Sequence, residues 1–148
     1  MIEMHLESTT VSTNAELLAP VKGQLTAMEA RLRESLSGQH HALTAATKHL
    51  LDSGGKRVRP AVALLSARLF AADCDNAVSL AAAVEMLHTA TLVHDDLIDG
   101  ALLRRGISTL NAKWSPDATV LTGDYLFARA ASFAAQTESV RVMNLFAE

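Results

Sequence analysis

Residues 77–102 read AVSLAAAVEMLHTATLVHDDLIDGAL, and the fold turns on how this run is taken. It reads as one long helix, with His94, Asp95, Asp96, Leu97, Ile98 and Asp99 near its C-terminal end. Three carboxylates therefore fall within five positions of a segment apolar enough to be buried. Val93, Leu97 and Ile98 argue that this end is buried too, and carboxylates near a helix C-terminus are disfavoured by the macrodipole. An ionised carboxylate is costly to strip of water unless a partner compensates it, so the cluster is expected to hold a cation.

Asp95 and Asp99 lie one turn apart and point the same way, with Asp96 to one side. Oxygen ligands so placed suit Mg²⁺, which keeps several waters and commonly bridges carboxylates to phosphates. Thr91 sits one turn back, and Leu87 and His88 two turns back. The face below the carboxylates is thus expected to be small and apolar, with one polar side chain. The competing reading is a solvated helix end.

Outward from this helix, the chain reads as all-α. Of 148 residues, 49% are hydrophobic, enough for one domain with a real core, while only 4% are aromatic. Leu17, Leu18, Val21, Leu25, Met28 and Leu32 form a helical stripe, with Asn14 as cap and Gly38 as stop, although Pro20 and Gly23 weaken its first turns. A short helix is expected over His41–Leu51, then a loop over Asp52–Pro60. AVALLSARLFAA follows as a helix surrounded by others on most sides, and Asp73, Asp75 and Asn76 make a turn. Thr109–Lys113 and Ala118–Ala135 look helical, and strand signals are lacking throughout. Residues 1–13 read as a mobile leader and 14–148 as the domain.

Charge narrows the function. With 13 Lys and Arg against 16 Asp and Glu the net charge is −3, which gives no general attraction for nucleic acid or an anionic membrane. Cys74 is the single cysteine, so no intrachain disulfide forms, and a reducing compartment, the cytoplasm, is expected. No stretch reaches the roughly 18–20 uninterrupted apolar residues of a membrane span, and the N-terminus does not read as a signal peptide. Any anion site must be local. Lys56, Arg57 and Arg59 follow Gly54 and Gly55, and Arg104 with Arg105 stand just beyond the acidic helix. Gly lets backbone approach an anion, Lys supplies a compact charge, and Arg a two-pronged grip, so both clusters read as phosphate clamps. Together with the carboxylates they describe one diphosphate held by metal and another held by bare cations.

GGKRVRP at 54–60, EMLHTATLVHDDLID at 85–99, LLRRG at 102–106 and GDYLFARA at 123–130 resemble the trans-isoprenyl (polyprenyl) diphosphate synthase family, in wording closest to its long-chain members. The resemblance runs from about residue 45 to residue 135. It implies a helical bundle around a deep central cavity, a homodimer, and Mg²⁺-dependent head-to-tail condensation of isopentenyl diphosphate with an allylic diphosphate. It also implies that Asp95, Asp96, Asp99 and Arg104 form the catalytic group, with Asp95 and Asp99 as metal ligands. Lys56, Arg59, His88 and Arg105 would hold isopentenyl diphosphate, Gly55 would shape the loop, and Arg104 would act on the allylic diphosphate. In this family the growing chain descends below the acidic motif. Ala90 and Thr91 are small there, so a product longer than farnesyl is expected, with Leu87 a further stop.

The family continues through helices bearing a second aspartate-rich motif, which these residues do not include. The chain is accordingly expected to be the N-terminal part of a longer synthase and inactive alone. Two rivals remain: a non-catalytic subunit of a heteromeric synthase, and a fragment of a class I terpene cyclase. Lys56, Arg59 and Arg105 count against the cyclase, which has no second diphosphate to bind.

Overall fold

The computed structural model describes residues 14–37 and 41–148. The leader at 1–13 and the stop at Gly38 lie outside the described residues. The fold is all-α as expected, but the first helix is not continuous. Asn14–Leu18 (α1) passes through a 3₁₀ turn at Ala19–Val21 into Lys22–Ser35 (α2). Pro20 lies in that turn, where its missing N–H and its ring would break an α-helical ladder. His41–Asp52 (α3), Val58–Leu69 (α4) and Cys74–Ile98 (α5) follow, then Pro116–Ala135 (α6) and Val140–Ala147 (α7).

Each of the last three helices has a capped start. Asp73 accepts from the Asn76 N–H at 2.9 Å, so the polar cluster read as a turn is the cap and first turn of α5. Ser115 caps α6 with Pro116 just inside, and Ser139 caps α7. α5 is the central element, packed chiefly on α6, with α4 and α2 on its other sides. Its inward residues are mostly small, Ala81, Ala82, Ala83 and Ala90, so its neighbours approach closely; Met28, Leu32, Leu64, Leu126 and Phe133 fill the remaining space. α5 is the one helix among the described residues long and apolar enough to cross a membrane, and more than half of its most apolar stretch is buried in this packing.

Several expectations are corrected. α5 ends at Ile98, not near Leu102, because Gly100 takes φ +63° and closes a Schellman motif: Ala101 N–H bonds the Asp96 carbonyl at 2.8 Å and Gly100 N–H that of Leu97 at 3.2 Å. Ile98 is 80% exposed, so its apolar character did not report burial. Beyond it a small antiparallel hairpin pairs Leu103–Arg104 (β1) with Ile107–Ser108 (β2), although no strand was expected. Its two turn residues, Arg105 and Gly106, both have positive φ, the geometry of a type I′ turn. Thr109–Lys113 is a turn rather than a helix: the Thr109 hydroxyl donates to the Ala101 carbonyl and accepts from Ala112 N–H. α4 begins at Val58, ahead of Pro60, and it is not surrounded; Val58, Val62 and Leu69 are exposed, as is Phe70 just beyond. An apolar composition shows what a helix can bury, not what this chain supplies to cover it.

Candidate active site

The loop after α3, the middle of α5 and the hairpin enclose a cleft of about 340 Å³. Gly55, Lys56, Arg59, His88, Asp96, Arg104 and Arg105 all line it, so residues nearly fifty positions apart meet. Lys56, Arg59 and Arg105 are exposed and make no hydrogen bond or ion pair among the described residues, which leaves their charges available to an anion. Leu92 and Val93 supply an apolar stretch of the same wall.

Arg57 behaves differently from its neighbours. It adopts φ +49° as the residue before α4, and its guanidinium turns inward to meet Glu85 at 2.5 Å and Glu29 at 3.0 Å. Burial alone would lower the Arg57 pKa, but the hydrogen bonds to Glu29 and Glu85 outweigh it, and the net shift is upward. Arg57 is therefore a structural brace and not a third phosphate clamp. Positive φ in this loop falls at Gly54 and Arg57 and not at Gly55, which has room for a side chain.

The three aspartates also divide. Asp96 is only 7% exposed, and Arg104 grips it with Nε–Oδ1 at 2.8 Å, Nε–Oδ2 at 3.1 Å and Nη2–Oδ1 at 2.7 Å. The cation that compensates the buried carboxylate is thus an arginine from the hairpin. This hydrogen bond raises the Arg104 pKa, with the charges of Asp95 and Asp99 adding to it. Asp95 and Asp99 are exposed on one face, and their carboxylates have no hydrogen-bond or ion-pair partner among the described residues. Two hard oxygen donors one turn apart suit Mg²⁺. No third His, Cys, Asp or Glu joins them among the described residues, so water or a ligand would complete the shell.

His88 is half-buried on the cleft wall. Its pKa lies below the ordinary histidine value of 6.5, first through burial and then through the charges of Arg59, Arg104 and Arg105, against an opposing pull from Glu85. A neutral imidazole thus stands among several cations. Thr91 is exposed on the carboxylate face and Leu87 is half-buried, whereas Ala90 is fully buried in the core. Sequence reasoning missed Glu85, Glu29 and His49. Glu85 sat inside a quoted motif, and a lone acid in an apolar run is itself a signal for a buried pair.

A sequence model of the polyprenyl synthetase family matches residues 40–148. The chain belongs to the polyprenyl synthetase family. It is 45% identical over 116 residues to an all-trans-nonaprenyl-diphosphate synthase (geranyl-diphosphate specific) from Rhodobacter capsulatus, a match covering 78% of this chain and 36% of that protein. Heptaprenyl diphosphate synthase component 2 from Geobacillus stearothermophilus is 43% identical over 124 residues, covering 84% of this chain and 39% of that protein. Among solved structures, a Caulobacter crescentus polyprenyl synthase complexed with calcium and isoprenyl diphosphate superposes with a TM-score of 0.87 at 35% identity, covering 95% of this chain and 43% of that one. This polyprenyl synthetase chain therefore spans about two fifths of the length of the relatives it matches.

Proposed function

We propose that the chain supplies one wall of a trans-prenyltransferase that condenses isopentenyl diphosphate head-to-tail with an allylic diphosphate, releasing pyrophosphate. The observation that carries this reading is the cleft that gathers Lys56, Arg59, His88, Arg104 and Arg105 on one side of the carboxylate end of α5. Lys56, Arg59 and Arg105 would hold the isopentenyl diphosphate as unpaired cations, and neutral His88 would donate a hydrogen bond to a phosphate oxygen. Arg104, already oriented by Asp96, would present its remaining N–H groups to the allylic diphosphate. Mg²⁺ held by Asp95 and Asp99 would supply charge neutralisation of the departing pyrophosphate. The names of the nonaprenyl and heptaprenyl relatives support a product longer than farnesyl, and Thr91 leaves the face below Asp95 open to it. The small side chain of Ala90 would act on product length only through core packing, and Leu87 is the nearer stop.

The exposed apolar residues of α6 and α7, among them Leu121, Phe127 and Leu145, support assembly, which we take to be a homodimer in the cytoplasm. The likeness to a protein named as a component supports a second reading, a subunit that works with a different synthase chain.

Titration of the purified chain with pyrophosphate tests the site. Binding is expected in EDTA, to be lost in Lys56→Ala with Arg105→Ala, and to strengthen with Mg²⁺ only while Asp95 and Asp99 are intact. Pyrophosphate affinity unchanged by these substitutions would overturn the assignment. With one carboxylate wall, these residues alone are expected to turn over isopentenyl and farnesyl diphosphates slowly or not at all; brisk elongation would refute that.

A further inference from the structure

We propose that His49 is a positioning residue that sets the spacing between the two basic segments of the cleft, and so the fit of a diphosphate between Lys56, Arg59 and Arg105. The inference rests on the diphosphate reading above. Those three side chains are like-charged and unpaired, so they repel one another, and their separation must be fixed by other contacts. The loop bearing Lys56 is held to α5 by Arg57 and Glu85 at 2.5 Å. The hairpin bearing Arg105 is held to the same helix by Arg104 and Asp96. These are two sides of a frame.

His49 closes the third side. From the last turn of α3, its Nε2 lies 2.7 Å from the carbonyl oxygen of Ser108 in β2, joining segments 59 positions apart. Its own carbonyl accepts from Ser53 N–H at 3.0 Å, one residue before the glycine loop, so the tie is applied close to Lys56. The Trp114 ring, with its centroid 5.8 Å away and tilted by 47°, holds the orientation of the imidazole. A carbonyl only accepts, so Nε2 carries the proton, and both the neutral Nε2–H tautomer and the imidazolium make the bond. His49 lines the cleft, but its polar edge is committed to the hairpin.

The test uses the whole chain, inorganic pyrophosphate and EDTA, read by isothermal titration. His49→Phe keeps a ring against Trp114 and removes the donor, and is expected to weaken binding about tenfold. His49→Gln restores an N–H at similar reach and is expected to bind within about threefold of wild type at the same melting temperature as His49→Phe. A purely structural histidine would give two variants equal in affinity. Wild-type affinity in His49→Phe, or equal weakening in both, overturns the role of His49 while Lys56→Ala still confirms the anion site. Absence of pyrophosphate binding by the wild-type chain overturns the diphosphate reading and this inference with it. Independently of any variant, long-range ¹⁵N–¹H correlation must show the proton on His49 Nε2; an Nδ1–H neutral tautomer refutes the tie.

Discussion

At the residue scale, the same side-chain type serves opposite purposes within a few positions. Lys56, Arg57 and Arg59 read alike in sequence, yet only Arg57 is withdrawn into ion pairs, because Glu85 and Glu29 lie where its left-handed backbone aims it. The family resemblance set Lys56 and Arg59 apart, but the residue types alone did not, since a loop cation and a core brace differ in their partners and not in their composition. Arg57→Ala keeps the backbone strain and removes the pairs, leaving Glu85 buried and uncompensated; unfolding by urea is expected to show a loss of about 3–5 kcal/mol. Adding Glu85→Gln should recover at least half of it, and a single-variant loss under about 1 kcal/mol would place the pair among weak surface bridges. His88 was legible as a ligand candidate, but its charge state came only from its setting. Its folded pKa is lowered, so its contribution to stability is complete above about 6.5 and is lost as pH falls through 6.5 towards the folded value. A bound anion favours the imidazolium, so an NMR titration of His88 is expected to move upward with pyrophosphate, and an unmoved midpoint would remove His88 from the site.

At the element scale, the long apolar runs of α5 and α6 were legible as helices, whereas the side-chain caps that start them and the short connections were not. The stop of α5 was written in Gly100, but the apolar Leu102 drew the expected helix past it. The hairpin has strands of two residues, too short to show alternation, and its turn places an arginine at positive φ where Asn or Gly is usual. The α5–α6 junction depends on a further glycine. A Cβ at Gly123 would overlap the imidazole of His94, which also lies 3.3 Å from the Val120 carbonyl and 3.4 Å from Asp124. Helix propensity by itself would favour alanine there by about 1 kcal/mol. The overlap is the larger effect, because the ring must leave both polar neighbours; Gly123→Ala is expected to cost about 1–3 kcal/mol. In a His94→Ala background the sign should reverse, with Gly123→Ala raising the melting temperature. If Gly123→Ala stabilises the chain with His94 present, the ring is not packed as described.

At the scale of the whole molecule, both basic clusters and the carboxylate helix were legible as parts of one two-diphosphate site, and the contacts that bring them together were not. The meeting depends on contacts such as His49 to Ser108 that no local pattern announces. The assembled site is unequal in its demands. The cations Lys56, Arg59 and Arg105 stand ready without metal, whereas Asp95 and Asp99 offer two carboxylates where Mg²⁺ needs about six oxygens. Mg²⁺ alone should therefore bind weakly and shift the melting temperature by less than about 1 °C at millimolar concentration. Pyrophosphate brings the missing oxygens and cancels the mutual repulsion of the cations. A ligand at one hundred times its dissociation constant stabilises by about 2.7 kcal/mol, which for a domain of this size is about 5–10 °C. Differential scanning fluorimetry should thus show almost nothing with Mg²⁺, an intermediate shift with pyrophosphate, and the largest shift with both. Asp95→Asn with Asp99→Asn should reduce the last to the second. A large shift from Mg²⁺ alone would mean that more than two protein oxygens converge on the ion, and the separation of a metal site at Asp95 and Asp99 from the bare cations of the cleft would have to be redrawn.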